Sequence, residues 1–163
     1  MRREDKTGRQ TAEGVALAQE AIRIRSLSEV DIGDIVEIDE KIGGKYRPKV
    51  WEQRIGYYLR RDPEVSVVAL DDGRVIGFML GEVRSGEFGL EEPAGWVEVL
   101  GVDPDCQGRS VGRLLGEAML SRMKSRGAAT VRTLVEKPME DLGRFFLSLG
   151  FAPAPLVSYV KEL

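Results

Sequence analysis

The residues best suited to chemistry form a glycine- and arginine-rich stretch in the second half of the chain. Gly108 and Gly112 leave the backbone open to close approach, and Arg109 and Arg113 add positive charge. If a helix begins here, its N-terminus offers unpaired N–H groups and a partial positive charge, which together suit a phosphate. Gly116 extends the same spacing by one turn, so the glycines fit the packing of a helix against a sheet equally well.

The composition excludes several kinds of catalytic site. The 163-residue chain contains no histidine, and Cys106 is its only cysteine. Ser-His-Asp and Cys-His catalytic sites, HExxH zinc sites and Cys/His structural zinc sites are therefore excluded, and no metal is expected. One cysteine cannot form an internal disulfide, which fits a reducing compartment. Any general base must be a carboxylate, a tyrosine or a water molecule that they hold.

The charge balance and the hydropathy restrict the partners and the location. With 24 basic and 27 acidic residues the net charge is −3, which provides no overall basic surface for nucleic acid. No run approaches about 18 apolar residues, so no membrane partner is expected. The polar N-terminus lacks an apolar segment behind it, which predicts no secretory signal and a cytoplasmic protein. We expect an N-terminal arm or short helix over residues 1–20 and a single domain over 21–163.

Hydrophobic periodicity predicts a mixed α/β sheet with the element order βααβββαβαβ(β). An Asp72-Gly73 pair between two apolar runs indicates a β-hairpin. A helix between the strands near positions 100 and 130 indicates a parallel crossover. The predicted strands are 22–27, 65–70, 75–83, 96–102, 130–135 and 157–162, and the predicted helices are 29–41, 48–59, 108–127 and 139–150.

The glycine-rich stretch resembles motif A of the GCN5-related N-acetyltransferases, whose pattern is V-x-P-x-x-[Q/R]-G-x-G-x-[G/A]. The residues that match are Val102, Pro104, Gln107, Gly108 and Gly112. Residues 145–151, FFLSLGF, resemble the second signature of that family, a helix that ends in L-G-F. The resemblance covers roughly residues 22–163. It implies an acyl-CoA N-acyltransferase fold, an antiparallel meander followed by a parallel βαβ crossover.

The resemblance also implies an activity and a cofactor site. Members of the family transfer an acetyl group from acetyl-CoA to a primary amine by direct attack in a ternary complex. The acceptor is a small molecule, a lysine or a peptide N-terminus. The residues implied to bind coenzyme A are Leu100, Val102, Gln107, Gly108, Arg109, Ser110, Val111, Gly112, Arg113 and Phe146.

Two positions depart from the family pattern. Ser110 stands where the middle glycine is usual, which is expected to alter the phosphate contact without removing it. Phe146 stands where many members carry a tyrosine that protonates the departing thiolate, and a phenylalanine has no proton to donate. Two alternatives therefore stay open: an N-acetyltransferase, or a non-catalytic acyl-CoA-binding or regulatory module of the same fold.

The general base and the acceptor site are predicted from a few acidic and aromatic residues. Glu98 is the predicted catalytic base, because it interrupts an apolar strand on which some family members carry a relaying glutamate. Glu82 is the second choice, and a solvated position for Glu98 is the alternative. Tyr46 is the predicted acceptor contact, in a loop of the kind that the family uses. The acidic first predicted helix and the acidic residues Glu87, Glu91 and Glu92 suggest a cationic acceptor such as a polyamine, and a homodimer is left open.

Overall fold

The computed structural model describes residues 22–86, 89 and 91–163. The predicted N-terminal arm, residues 1–20, lies outside the described residues, as does Glu87 of the acidic loop. The chain divides into two compact units, of which one ends at Thr133 and the other comprises Leu134–Leu163. The assignment of residues 21–163 to one domain stays a prediction.

The first unit contains one five-stranded sheet with the strand order β1-β2-β3-β4-β5. Strands β1 to β4 are antiparallel neighbours, and β5 runs parallel to β4. This arrangement confirms the predicted meander and parallel crossover. The strands are β1 (Ile22–Ser26), β2 (Val67–Asp71), β3 (Arg74–Arg84), β4 (Ala94–Val102) and β5 (Thr130–Arg132).

Four α-helices accompany the sheet strands in the described part of the chain, each close to its predicted position, although the third begins at Val111 and not near Gly108. Three of them belong to the first unit, and the fourth belongs to the second unit. The helices are α1 (Ile32–Gly43), α2 (Pro48–Arg61), α3 (Val111–Ser125) and α4 (Glu140–Ser148). Among the described residues, none of the helices is long and apolar enough to cross a membrane.

The hairpin between β2 and β3 forms as its turn residues predict. Asp72 and Gly73 both have positive φ, 48° and 80°, and the flanking residues Asp71 and Arg74 face each other. Positive φ at both central positions is the type I′ turn, whose twist matches that of the strands.

One face of the sheet forms the main hydrophobic core with α1 and α2. Trp51 of α2 packs edge-on against Phe78 of β3, with ring centroids 5.1 Å apart. Because side chains alternate along a strand, Phe78 and Leu80 face this core. Ile55 and Tyr58 continue the buried stripe of α2.

The opposite face of the sheet carries glycines that allow α3 to lie close. A Cβ at Gly77 would stand 2.8 Å from Val111 Cγ1, and a Cβ at Gly81 would stand 2.8 Å from Met123 Cε. Contacts this short do not occur, so side chains at these two positions would push α3 outward. The close approach therefore depends on glycines of the sheet.

In the second unit, α4 ends in a Schellman motif that accounts for the L-G-F signature. The Phe151 N–H donates to Phe146 O at 3.1 Å, and the Gly150 N–H donates to Leu147 O at 3.0 Å. Gly150 has a φ of 87°, the left-handed conformation that this cap requires. The Phe146 and Phe151 rings, 5.1 Å apart, supply the apolar contact that accompanies the motif.

The predicted closing strand over residues 157–162 is wrong, because residues 151–163 carry neither helix nor strand. Val157, Tyr159 and Val160 are exposed. β-Branched and aromatic residues favour a strand only where a neighbouring strand and a packed surface accept them. The predicted strand 130–135 is also shorter in the structure and ends at Arg132.

Candidate active site

The start of α3 has the geometry of an anion site. Ser110 is the N-cap, and the first helical hydrogen bond runs from the Leu114 N–H to Ser110 O at 3.0 Å. The N–H groups of Val111, Gly112 and Arg113 precede that bond and have no carbonyl one turn before them. These N–H groups and the partial positive charge of the helix end fit a pyrophosphate.

The backbone of Ser110 is left-handed, with φ 61° and ψ 19°, and its side chain makes no capping hydrogen bond. This conformation costs a non-glycine residue on the order of 1–3 kcal/mol. The loop therefore keeps the shape that a glycine would adopt more easily. This geometry explains why glycine is usual at the position.

The two arginines at the start of α3, one in the preceding loop and one in the first turn, are both engaged. Arg109 Nη1 donates to Asp71 Oδ2 at the end of β2, at 2.6 Å, and this hydrogen bond raises the pKa of Arg109. Arg113 pairs with Glu117 one turn along α3, at 3.3 Å. A bound phosphate would compete with these carboxylates for the arginines.

An ion pair between a partly exposed lysine and a buried aspartate holds the segment that connects β4 to α3. Lys41 Nζ, near the end of α1, lies 2.8 Å from Oδ2 and 3.0 Å from Oδ1 of Asp103. Burial raises the pKa of Asp103, but the hydrogen bonds from Lys41 and from the Asp105 N–H outweigh it and hold the pKa below its usual value. The charged pair fixes the loop relative to α1.

The β5-facing side of β4 is paired only over part of its length. β5 pairs with Ala94–Trp96, and the Thr133 hydroxyl donates to Val97 O at 2.9 Å. Among the described strands, none pairs with Leu100 or Val102 on that side. An extended ligand can hydrogen-bond to such an edge as an added strand does.

Glu98 is the extra residue of a β-bulge in β4. Val97 faces Gly81 of β3 and Val99 faces Leu80, so Glu98 has no partner in the register. A bulge re-aims the side chain that it carries. The Glu98 carboxylate accepts hydrogen bonds from the Tyr58 hydroxyl of α2 and from the Arg84 guanidinium of β3.

Glu98 borders a cavity of about 380 Å³ and remains 32% exposed, so its carboxylate is both held and accessible. Tyr58 is buried. Burial is the main reason that its pKa lies well above the ordinary value, and the hydrogen bond to Glu98 raises the pKa further. Tyr58 is therefore a neutral hydroxyl donor at physiological pH. The cavity is lined by Val50, Gln53, Arg54, Tyr57, Tyr58 and Glu98.

Comparison with known proteins decides the family. The profile described as "Acetyltransferase (GNAT) family" matches residues 32–151 of the chain. The chain belongs to the GNAT acetyltransferase family.

Curated relatives of this GNAT chain include two mycothiol acetyltransferases. The protein of Thermobifida fusca (strain YX) is 39% identical over 94 residues, which are 55% of this chain and 29% of that protein. The protein of Nocardia farcinica (strain IFM 10152) is 36% identical over 108 residues, 66% of this chain and 33% of that protein. The chain thus spans about a third of the length of the curated relatives it matches.

Solved structures share the GNAT fold. The aminoglycoside N-acetyltransferase AAC(6')-Iy in complex with CoA superposes with a TM-score of 0.74 at 18% identity, over 86% of this chain and 94% of that chain. Ard1 from Thermoplasma volcanium superposes with a TM-score of 0.68 at 26% identity, over 81% of this chain and 83% of that chain.

Glu82, the second-choice base of this GNAT chain, is a buried carboxylate surrounded by donors. It accepts from Arg84 Nε at 2.6 Å, from Arg61 Nε at 2.9 Å and from the Tyr57 hydroxyl at 3.0 Å. Burial raises the pKa of Glu82, but these hydrogen bonds outweigh it and hold the pKa below its usual value. The arrangement suits a structural anion, whereas the Glu98 carboxylate remains accessible at the cavity.

The residues predicted for the acceptor lie apart from the cavity or are already engaged. Tyr46 lies in the loop between α1 and α2, is 66% exposed and does not line the cavity of Glu98. The acidic face of the first predicted helix is largely used within the fold. Its engaged acids are Asp31 with Arg25, Asp34 with the Val75 N–H, Glu37 with Arg74, and Asp39 with Arg47.

Three residues around Glu98 were not singled out from the sequence: Tyr58, Arg84 and Arg54. Tyr58 carried a readable signal, because Trp51, Ile55 and Tyr58 follow helical spacing and share one buried stripe. A hydroxyl on that stripe must find a partner in the sheet. No local pattern marks Arg84 or Arg54 as members of the site.

Proposed function

We propose that the chain is an acetyl-CoA-dependent N-acetyltransferase that acetylates a primary amine by direct attack in a ternary complex. The observation that carries the proposal is the contact of Glu98 with Tyr58 and Arg84 at the edge of a cavity. A carboxylate held by one neutral hydroxyl and one cation, and still accessible, is equipped to move a proton. Membership of the GNAT family and the anion-binding geometry at the N-terminus of α3 support the same activity.

Acetyl-CoA supplies the acetyl group as a thioester, whose thiol, with a pKa near about 8.5, is a fair leaving group. The N–H groups from Gln107 to Arg113 would hold the pyrophosphate. The open side of β4 at Leu100 and Val102 would bind the pantetheine arm. Their backbone N–H groups would polarise the thioester carbonyl.

Glu98 and Tyr58 would carry one proton from nitrogen to sulfur. The amine attacks in its neutral form, after its ammonium proton has passed to solvent. The nitrogen then bonds to the thioester carbon, the carbon–sulfur bond breaks, and Glu98 Oε2 takes the further proton that the nitrogen loses. The Tyr58 hydroxyl, which donates to that oxygen, passes its own proton to the sulfur and regains one from Glu98. The relay consumes no external proton, and it replaces the tyrosine that Phe146 does not provide.

The acceptor within this proposal is a primary amine of a small molecule, a lysine or a peptide N-terminus. The cytoplasmic location and the possible homodimer remain part of the proposal and rest on the sequence. A non-catalytic acyl-CoA-binding module is the second candidate, and the observation that favours it is Phe146, a buried ring in place of the usual proton donor.

The test combines binding with turnover. Calorimetry should detect acetyl-CoA binding, and Gly112→Asp, which places a carboxylate at the helix N-terminus, should abolish it. Thiol release over a panel of amines should fall about 100-fold in Glu98→Gln, with acetyl-CoA affinity unchanged. Glu52→Gln, an exposed glutamate of α2 outside the cavity, is the matched control. Binding without thiol release from any amine would favour the non-catalytic module.

A further inference from the structure

We infer that Arg54 binds a carboxylate of the acceptor, so that the preferred substrates are small amines that carry a carboxylate, such as amino acids. This inference rests on the proposed function and deepens it, because it names the chemical class of the acceptor. Three observations lead to it: the position of Arg54, the surrounding charges, and the lining of the cavity.

Arg54 is placed to face the same ligand as Tyr58 and Glu98. It lies one helical turn before Tyr58 in α2, and all three residues line the cavity. Its guanidinium carbon lies 5.2 Å from the ring centroid of the buried Trp51. Stacking on a ring orients a guanidinium and leaves its N–H donors free to bind a ligand.

The charges around Arg54 are balanced without it. Glu82 and Glu98 are matched by Arg61 and Arg84, which lie at ion-pair distances from them. Asp39 of α1 also interacts electrostatically with Arg54. Both of its carboxylate oxygens already accept hydrogen bonds from Arg47, at 2.7 and 3.0 Å. Among the described residues, no carboxylate forms an ion pair with Arg54.

The cavity therefore presents one surplus cation beside a carboxylate. An amino acid carries the matching groups, an amine for Glu98 and a carboxylate for the planar fork of Arg54. A volume of about 380 Å³ accommodates a molecule of this size. Val50 and the rings of Tyr57 and Tyr58 add an apolar wall, which suits an apolar side chain.

The experiment compares matched acids and amides. L-leucine and L-phenylalanine, and their carboxamides, are titrated by calorimetry into the protein saturated with CoA, which binds without reacting. Each acid should bind at least about tenfold more tightly than its amide. Arg54→Gln should abolish the difference by weakening the acid alone, and Arg54→Lys should retain part of it. Arg60→Gln, an exposed arginine of α2 outside the cavity, should keep the full difference.

The results separate this inference from the proposed function. Equal affinity of acid and amide, or an acid preference that survives Arg54→Gln, overturns the role of Arg54. An Arg54-dependent acid preference supports that role even without thiol release, a result that would contradict only the acetyltransferase activity. Where turnover occurs, kcat/KM should show the same acid preference and the same loss in Arg54→Gln.

Discussion

The hydroxyl of Tyr58 in α2 donates a hydrogen bond to the carboxylate of Glu98 in β4, across 40 residues of sequence. Tyr58 reaches it from the buried stripe of α2, and Glu98 is turned toward it by the bulge in β4. Arg84 contacts the same carboxylate from β3. Three separate elements thus meet at one accessible acid.

Removing the Tyr58 hydroxyl should slow turnover far more than it lowers stability. Tyr58→Phe breaks the relay while Glu98 keeps its contact with Arg84, so kcat should fall about 10- to 100-fold. The free energy of unfolding of Tyr58→Phe should be only about 1 kcal/mol lower than that of the wild type. Tyr159→Phe removes an exposed hydroxyl that does not line the cavity, and it should change kcat little. Steady-state thiol release measures kcat for the two variants, and denaturant unfolding measures their stability. An unchanged kcat in Tyr58→Phe would exclude the relay.

Restoring a tyrosine at position 146 should destabilise the protein without accelerating it. Phe146 is buried, and its ring packs edge-on against those of Phe145 and Phe151. A hydroxyl without a partner in this cluster should cost about 1–3 kcal/mol. Denaturant unfolding of Phe146→Tyr measures the loss of stability, and thiol release measures its kcat. A large gain in kcat would mean that the chain lacks an efficient proton donor.

Ser110→Gly should stabilise the start of α3. Glycine relieves the left-handed strain but loses more backbone entropy on folding, so a net gain of about 1 kcal/mol is expected. The same substitution at Ser125, in the last turn of α3, should instead cost about 0.5–1 kcal/mol. Urea unfolding of both variants tests the backbone argument, and a loss of stability in Ser110→Gly would contradict it.

Gly81→Ala should be strongly destabilising. The new methyl group would overlap the Trp96 carbonyl oxygen and stand 2.8 Å from Met123 Cε, so α3 would have to move away from the sheet. A loss of about 3 kcal/mol is expected. Gly33→Ala in α1 meets nothing within 4 Å and should gain up to about 1 kcal/mol. Thermal unfolding should therefore shift in opposite directions for the two alanines.

Glu82 should make the fold sensitive to acid. Its pKa in the folded protein is held below the ordinary value of a glutamate, so its stabilising effect is complete above that ordinary pKa and is lost as the pH falls through the folded pKa. Glu82→Gln should lower the Tm at pH 7, and this difference from the wild type should shrink toward pH 3. Melting curves of the two proteins between pH 7 and pH 3 measure this difference in Tm. A difference that stays constant with pH would mean that Glu82 acts through packing alone.

Local rules were sufficient wherever neighbouring residues determine the structure. The Asp72-Gly73 hairpin and the glycine-capped end of α4 were predicted from short patterns, because turns and caps depend on nearby backbone angles. Local propensity misled at residues 157–162, where strand-forming side chains have no adjoining strand.

By itself, the sequence indicated the family and the observed order of the elements as far as α4, and it predicted Glu98 as the base because the chain has no histidine. Only the tertiary structure decided what surrounds that carboxylate. Tyr58, Arg84 and Arg54 reach it or its cavity from α2 and β3, and a one-residue bulge turns Glu98 toward them. Contacts between residues far apart in sequence depend on strand register and helix packing, which no local pattern encodes.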